Sequence, residues 1–279
     1  MTDDYTGDIG PEDRDPVRFL AQRAAAYQAY WEHMPLSNAM RPNGPSLKLY
    51  DRYRFGDLAE LFTLDDRQYR AHHACLSTLN PRGKPLENCA ERLDPTRTML
   101  GGGQETWFAD GMARASARWN VLAQQTLMAE LDRGQGERHV YWADGWDGYP
   151  IARRRLLDVV AQSPVKDTLV LGGDVHAFWA TDLKQDFANP NAPTVATEFV
   201  GGSITSQGPT NERAQQALAK NPHIRFALGS ANGYGVVALD PKQALVSFRA
   251  VSDVRDPKAG ITTAKRFAVE PGKPGAQSA

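Results

Sequence analysis

The sequence predicts an α/β fold, and three observations support that prediction. A continuous apolar run at 168–171 ends at Gly172-Gly173, as in a strand that is covered on both faces. Segments with strand-like patterns alternate with segments of helical periodicity along the chain. Two further apolar segments, 233–240 and 244–251, flank Pro241 and predict an antiparallel hairpin. The sheets are therefore expected to contain mixed strand directions.

The N-terminal elements follow from local patterns. Asp15 and Pro16 predict the N-cap and first position of a helix. Its apolar residues repeat at helical spacing and predict the face that packs on the core: Val17, Leu20, Ala24, Tyr27, Trp31 and Met34. Strands joined by a glycine turn are predicted at 47–54 and 58–65. The long polar connection at 71–103 is unusual in a compact domain unless it is functional or tied by a disulfide.

The remaining elements continue the alternation of helices and strands. In chain order they are a helix over 104–117, a strand over 119–124, an aromatic loop over 134–149, a helix over 151–162 after Pro150, the strand at 168–171, a strand within 180–184, a short strand at 197–200 and a polar helix at 210–220. Residues 268–279 are predicted to form a frayed tail. No internal repeat is seen.

Composition narrows the class of protein. The 279 residues are enough for one large domain, and the formal net charge is -1, from 32 basic and 33 acidic side chains. That balance argues against general nucleic-acid binding, which requires a basic excess. No apolar stretch approaches membrane-spanning length. The acidic, polar N-terminus, MTDDYTGDIGPEDRD, is not expected to be a signal peptide.

The strongest candidate site follows the strand at 168–171. Asp174 and His176 come directly after Gly172-Gly173, at the strand end where α/β sheets place ligands. Side chains two residues apart on a strand share a face, so these two are expected to meet one ion. A carboxylate oxygen beside an imidazole nitrogen suits Zn, Fe, Mn or Ni. The alternative is that Asp174 caps a turn and His176 is a hydrogen-bonded core residue.

Cys75 and Cys89 leave two interpretations open. They form a local disulfide in an oxidising compartment, or they are two free surface thiols. Their spacing is too long for a redox Cys-x-x-Cys pair. We predict that they lie close enough to bridge, because the surrounding loop is short of core-forming side chains.

Several long motifs resemble the PhoD-like alkaline phosphatases, a branch of the metallophosphatase superfamily. No phosphate-binding glycine loop and no Gly-x-Ser-x-Gly nucleophile elbow is present to suggest another class. The matching segments occur in family order and are RAAAYQAYWEHMPL, FGDLAELFTLDDRQYR, RTMLGGGQETWFADGMARASARWNVLAQQ, DGWDGYPIARRRLL, LVLGGDVHAFWATDL, TEFVGGSITSQG, NPHIRF and ANGYGVVALDP. The resemblance covers nearly the whole chain.

The resemblance implies a mixed-sheet α/β/β/α sandwich whose N-terminal part is missing. Residues 1–270 would form the C-terminal part of a PhoD-like domain, followed by a flexible tail at 271–279. The absent strands would leave an unpaired sheet edge through which the chain could associate. Family members are typically exported, so the resemblance implies a periplasmic or secreted location.

The implied activity is metal-dependent hydrolysis of phosphoesters, as an alkaline phosphatase or phosphodiesterase. Asp174 and His176 match the family's late metal-binding motif, and the implied cofactor is a cluster of iron and calcium. Because most of the family's ligands lie upstream of the matched segments, this chain is expected to be catalytically incomplete. The alternative is a non-catalytic homologue that binds metal, phosphate or a partner chain.

Weaker candidates surround this site. Arg67 would donate to the phosphate, or would form an ion pair with Asp65 or Asp66. His72 and His73 form an adjacent pair that we interpret as loop surface.

Three further residues are candidates for substrate binding. The resemblance places Asp147 and Tyr149 near the mouth of the active site, although an Asx-turn with packed aromatic rings is the favoured alternative. Ser203 follows two glycines and could present backbone N–H groups to an anion, or simply belong to a glycine turn.

Overall fold

A computed structural model of the chain describes residues 4–11, 13–77 and 85–279. Its helices are α1 (Pro16–His33), α2 (Gly101–Ala113), α3 (Pro150–Gln162) and α4 (Asn211–Lys220). Its strands are β1 (Asp51–Phe55), β2 (Ala59–Thr63), β3 (Trp119–Ala123), β4 (Thr168–Gly172), β5 (Phe178–Lys184), β6 (Thr194–Val200), β7 (Ile224–Leu228), β8 (Asn232–Leu239), β9 (Ala244–Val251), β10 (Ile261–Glu270) and β11 (Lys273–Ser278). Short 3-10 helices lie at Asn38–Met40, Ala90–Leu93 and Trp146–Gly148.

Two sheets organise these strands. A seven-stranded sheet has the order β1-β2-β3-β4-β6-β5-β7, and a four-stranded sheet has the order β11-β10-β9-β8. Strands β2, β3, β4 and β6 are parallel, whereas β1, β5 and β7 pair antiparallel with their neighbours. The four-stranded sheet is antiparallel throughout and includes the predicted hairpin of β8 and β9. The predicted mixed α/β fold is therefore confirmed.

The apolar run of β4 is explained by two cores, one on each face of the larger sheet. Val170 packs with Leu156 and Leu157 of α3, on the helical side. Its neighbour Leu169 points the other way and packs with Phe248 of the four-stranded sheet. Adjacent residues of one strand thus both need apolar side chains. Among the described residues, these two cores give α/β/β layers.

Helix α1 begins as predicted and buries the predicted face in part. The Asp15 side chain accepts a hydrogen bond from the Val17 N–H, and Pro16 opens the helix. Val17, however, is 80% exposed, and the buried residues include Phe19 and Arg23. The Arg23 guanidinium donates to backbone carbonyl oxygens of Gly7 and Pro45. The prediction is right in part: Tyr27 is buried, and Leu20, Ala24 and Trp31 are half-buried. It missed the burial of Arg23, because an apolar pattern does not reveal a buried cation.

The predicted flexible tail at 271–279 is also wrong. Residues of β11 pair antiparallel with β10, so that Phe267 lies opposite Ser278. The Gly275 N–H donates to Thr197 Oγ1 at 2.7 Å, and the Ala276 N–H donates to Asp182 Oδ1 at 3.0 Å. Strand β11 is polar and is held by hydrogen bonds to the larger sheet. For that reason hydropathy alone suggested a frayed end.

The polar connection at 71–103 is tied by a disulfide. Cys75 and Cys89 are bonded, with their Cα atoms 6.1 Å apart, which confirms the predicted proximity. Residues 78–84 of this connection lie outside the described residues. Helix α2 begins at Gly101, three residues before the predicted start. No helix in the described part of the chain is long and apolar enough to cross a membrane.

Candidate functional site

Asp174 and His176 lie beyond the end of β4, in an irregular turn. Their φ angles are 68° and 53°, in the left-handed region that L-residues rarely adopt. A Cβ at Gly172 would lie 2.1 Å from the Thr126 carbonyl oxygen, so only glycine allows this close approach. The expected strand geometry of the pair is therefore wrong. Turn geometry brings the two side chains to one cavity instead.

The surroundings of His176 determine which of its ring nitrogens carries the proton in the neutral form. Nδ1 lies 3.0 Å from the Gln207 carbonyl oxygen, which can only accept a hydrogen bond. When the imidazole is neutral, Nδ1–H donates to that oxygen and Nε2 carries the lone pair. The ring is exposed to solvent. His176 is thus oriented as metal-ligating histidines commonly are, by a backbone acceptor on the opposite nitrogen.

The cavity has a volume of about 460 Å³. Asp174 and His176 form part of its wall, and Gly145, Trp146 and Asp147 form another part. The structure thus brings the two metal-ligand candidates to one cavity with residues 145–147 of the aromatic loop. Their role as ligands stays a prediction. Leu127 and Leu131 add apolar surface. A pocket of this size is in the range that holds small organic ligands.

Arg67 contacts two carboxylates of different character. Its Nη1 and Nη2 donate to Asp144 Oδ1 and Oδ2 at 2.9 and 3.0 Å. Its Nη2 also lies 3.3 Å from Asp174 Oδ1. Among the described residues, the ion-pair partners of Arg67 are Asp144 and Asp174, and not the expected Asp65 or Asp66. Asp144 is 77 residues away in the chain, so no local pattern indicates this pair.

Asp144 is the centre of a buried network that the sequence did not indicate. Arg70 Nη2 donates to its Oδ1 at 2.6 Å, and His73 Nε2 lies 3.5 Å from the same oxygen. Burial opposes ionisation of Asp144, but His73, Arg70 and Arg67 outweigh it and hold its pKa well below the usual range. His73 is only 5% exposed, so its assignment to the loop surface is wrong. Burial lowers the pKa of His73.

The candidate substrate-binding residues have structural partners. Arg153 Nη1 donates to Asp147 Oδ1 at 2.6 Å, and the Leu131 N–H donates to Asp147 Oδ2 at 3.0 Å. The buried Tyr149 donates its hydroxyl to the Ala71 carbonyl oxygen at 2.5 Å. Ser203 accepts at its carbonyl oxygen from the Gly233 N–H and is not among the residues that line the cavity. The predicted contacts of these residues with substrate stay predictions.

The buried carboxyl group of Glu198 accepts hydrogen bonds from the backbone segment that follows the cavity-lining residue Leu127. Glu198 of β6 accepts from the N–H groups of Met128 and Ala129 at 2.6 and 2.9 Å, next to the lining residue Leu127. Thr181 Oγ1 donates to the same carboxylate at 3.0 Å. Burial raises the pKa of Glu198 to about 7, against the lowering effect of these hydrogen bonds.

Within residues 4–11, 13–77 and 85–279, no group of three or more His, Cys, Asp or Glu side chains is placed to hold a metal ion. Asp174 and His176 are therefore a pair of candidate ligands and not a complete coordination sphere. At the mouth of the cavity, the described residues thus offer a metal ion one carboxylate oxygen and one imidazole nitrogen.

The mixed seven-stranded sheet thus places Asp174 and His176 just after its central strand, β4. The family model described as PhoD-like phosphatase matches residues 1–248, and the chain belongs to that family.

Two relatives make the likeness specific. Alkaline phosphatase D of Bacillus subtilis (strain 168) is 38% identical over 270 residues, which are 96% of this chain and 45% of the relative. A solved structure titled "Structure of PhoD" superposes with a TM-score of 0.91 at 35% identity, covering 99% of this chain and 52% of that one. The chain thus spans about half the length of the relatives it matches.

Proposed function

We propose that this chain takes part in metal-dependent hydrolysis of phosphoesters, with Asp174 and His176 as ligands of the metal. The observation that carries the proposal is the orientation of His176, whose Nδ1 faces the Gln207 carbonyl oxygen while the ring lines the same cavity as Asp174. Family membership and the likeness to alkaline phosphatase D support the reaction class.

The donor set fits part of a metal site. A carboxylate oxygen and an imidazole nitrogen suit iron and zinc, and calcium takes oxygen ligands. The resemblance to the family favours iron with calcium. When bound, such metals polarise phosphoryl oxygens and lower the pKa of a bound water. Two protein donors fall short of a full coordination sphere, so we propose that the described residues form an incomplete site.

The chain's own residues orient the two donors. Arg67 is fixed by its two hydrogen bonds to Asp144 and lies 3.3 Å from Asp174 Oδ1. The Gln207 carbonyl oxygen fixes the His176 ring. We infer that Arg67 is a positioning residue for Asp174, and that its use as a phosphate donor would require a change in these contacts.

The direct test is to assay the chain with p-nitrophenyl phosphate and its bis ester, with iron and calcium supplied. We expect little or no turnover, because the attacking hydroxide needs a metal that several ligands hold. Robust turnover that Asp174→Ala abolishes would show a complete site within this chain and would refute the proposed incompleteness. Robust turnover that Asp174→Ala leaves unchanged would refute the assigned ligand.

A second candidate function is a non-catalytic module that binds metal, phosphate or a partner chain. The incomplete donor set favours it, and so does the exposed apolar surface of β8, where Tyr234 and Val236 are 41% and 45% exposed. Association through this sheet edge would appear as concentration-dependent mass in solution. The Cys75–Cys89 disulfide supports a proposed extracytoplasmic location, since such bonds persist in oxidising compartments.

A further inference from the structure

The wall of the cavity also carries a cation and an indole that the proposed chemistry does not use. The Arg133 Cζ lies 5.7 Å from the centre of the Trp142 ring, and both residues line the same cavity as Asp174 and His176. Both side chains are exposed. Among the ion pairs of the described residues, none involves Arg133. Its guanidinium can therefore accept an anionic partner without breaking an ion pair.

The backbone at Arg133 is firmly held. The preceding residue, Asp132, exchanges two hydrogen bonds with Asn221, at 2.9 and 3.0 Å. The Asp132 carboxylate also accepts from the N–H groups of Gly134 and Val140 at 2.9 and 3.0 Å. The Arg133 N–H itself donates to the Val140 carbonyl oxygen at 2.8 Å. Little backbone entropy remains to be lost when a ligand reaches this guanidinium.

Trp142 is held from a different part of the chain. Its neighbour Tyr141 exchanges two backbone hydrogen bonds with Leu86, at 2.8 and 3.0 Å. Leu86 is buried in a small cluster with Cys89 and Ala143, beside the disulfide. Two separately anchored segments thus present a guanidinium and an indole to one cavity, which is a preorganised arrangement.

We propose that Arg133 and Trp142 form a subsite for the organic group of the substrate, and that this subsite selects phosphoesters whose organic group is an aromatic ring with a second anionic substituent. The inference rests on the proposed function, because it places the phosphate at Asp174 and His176. A guanidinium pairs with a carboxylate or phosphate through two parallel hydrogen bonds, and an indole stacks on a planar ring. Asp147, the other carboxylate of this wall, is already neutralised by Arg153 at 2.6 Å.

Phenyl phosphate and 4-carboxyphenyl phosphate are the matched probes, since they differ only in the second anionic group. Their affinities for the chain are measured by calorimetry with iron and calcium supplied, and phosphate release gives kcat/KM where turnover occurs. We expect the chain to prefer the carboxylated compound about three- to tenfold, as for a partly exposed ion pair. Arg133→Ala should abolish the preference by weakening 4-carboxyphenyl phosphate more than phenyl phosphate, whereas Arg133→Lys should keep part of the preference.

Arg138→Ala is the control, because Arg138 lies in the same loop but pairs with Glu87 and does not line the cavity. It should keep the full preference. Trp142→Ala should weaken both compounds.

Equal affinity of the two compounds for the chain, or the same preference in Arg133→Ala, would overturn the subsite. A preference that Arg133→Ala removes, but with both affinities unchanged by Asp174→Ala, would support the subsite and refute the assigned phosphate position. Binding of neither compound would overturn both proposals.

Discussion

Asp144 and Asp174 contact the same guanidinium, that of Arg67, from opposite surroundings. Asp144 is 5% exposed, accepts two hydrogen bonds from Arg67 and is shared with Arg70. Asp174 is 38% exposed and has one contact with Arg67 at 3.3 Å. We call the side of Arg67 that faces Asp144 its closed side; here the charges of Arg67, Arg70 and Asp144 are paired, which favours stability. On the open side, which faces Asp174, the Asp174 carboxylate lies at the cavity wall.

The backbone conformations of Asp144 and Asp174 differ in the same way as their surroundings. Asp174 and His176 adopt positive φ, a conformation that costs roughly 1 kcal/mol for a non-glycine residue. Strain of this kind persists where surrounding structure enforces it, and it is common at functional sites. Asp144 has no such φ. Through Arg67, the network behind the cavity thus supports a turn whose own conformation is unfavourable.

The largest effect is expected on the closed side. Asp144→Ala leaves the buried guanidinium of Arg70 and the half-closed one of Arg67 without their shared partner, which should destabilise the chain by about 3–5 kcal/mol. Denaturant unfolding measures this loss. Asp253→Ala, which removes an exposed pair with Arg255, should hardly change the midpoint. Similar midpoints for both variants would contradict the comparison.

The disulfide should rank next. Replacing both cysteines, Cys75→Ser with Cys89→Ser, opens a loop of 14 residues and should lower the free energy of unfolding by about 3 kcal/mol. Because Cys89 packs beside Leu86, which holds Tyr141, the quenching of Trp142 fluorescence by an added solute should also increase. Loss of stability without any change in the quenching of Trp142 would show that the disulfide does not hold Trp142 in place.

The pH dependence of the free energy of unfolding tests the role of Glu198, which hydrogen-bonds to the backbone beside the cavity. The pKa of Glu198 is raised to about 7 from an ordinary value of 4.5, so between these values the folded chain binds more protons than the unfolded one. Its contribution to stability is therefore present below about pH 4.5 and is lost as pH rises to about 7, by up to about 3 kcal/mol. Unfolding of the native chain and of Glu198→Gln, measured across this range, should give a stability difference that shrinks with rising pH. A constant difference would show that Glu198 does not titrate there.

Sequence patterns predicted the parts of the molecule that depend on local order. The double burial of β4 required apolar neighbours such as Leu169 and Val170, and the glycines after them marked the end of the strand. The turn geometry of Asp174 and His176 was not predicted, because their spacing was interpreted as that of a strand. The closed network could not be predicted this way. Arg67 and Asp144 are 77 residues apart, and neither periodicity nor spacing links two loops at that distance.

Strand β11 of the four-stranded sheet was not predicted, for a related reason. Strand β11 is polar and is recognised by Thr197 and Asp182, which are far away in sequence. The burial of Arg23 in α1 and of His73 near Asp144 likewise depends on partners that only the folded chain supplies.

A smaller effect is expected on the open side. Asp174→Gly removes the left-handed strain along with the contact to Arg67, so stability should stay within about 1 kcal/mol of the native chain. Asp174→Ala keeps the strain and should be less stable than Asp174→Gly by about 1 kcal/mol. Thermal unfolding of the two variants gives the order directly. Alanine proving the more stable would show that the turn does not hold this conformation in solution.

Equilibrium binding of iron tests the central claim most directly, because it does not require a complete catalytic site. Bound iron is measured after dialysis for the native chain, Asp174→Gly, His176→Gly and the surface control Asp253→Ala. We expect the native chain and the control to bind iron alike, and each ligand variant to lose more than about tenfold in affinity while remaining folded. Unchanged iron affinity in both ligand variants would contradict the assignment of Asp174 and His176 as metal ligands.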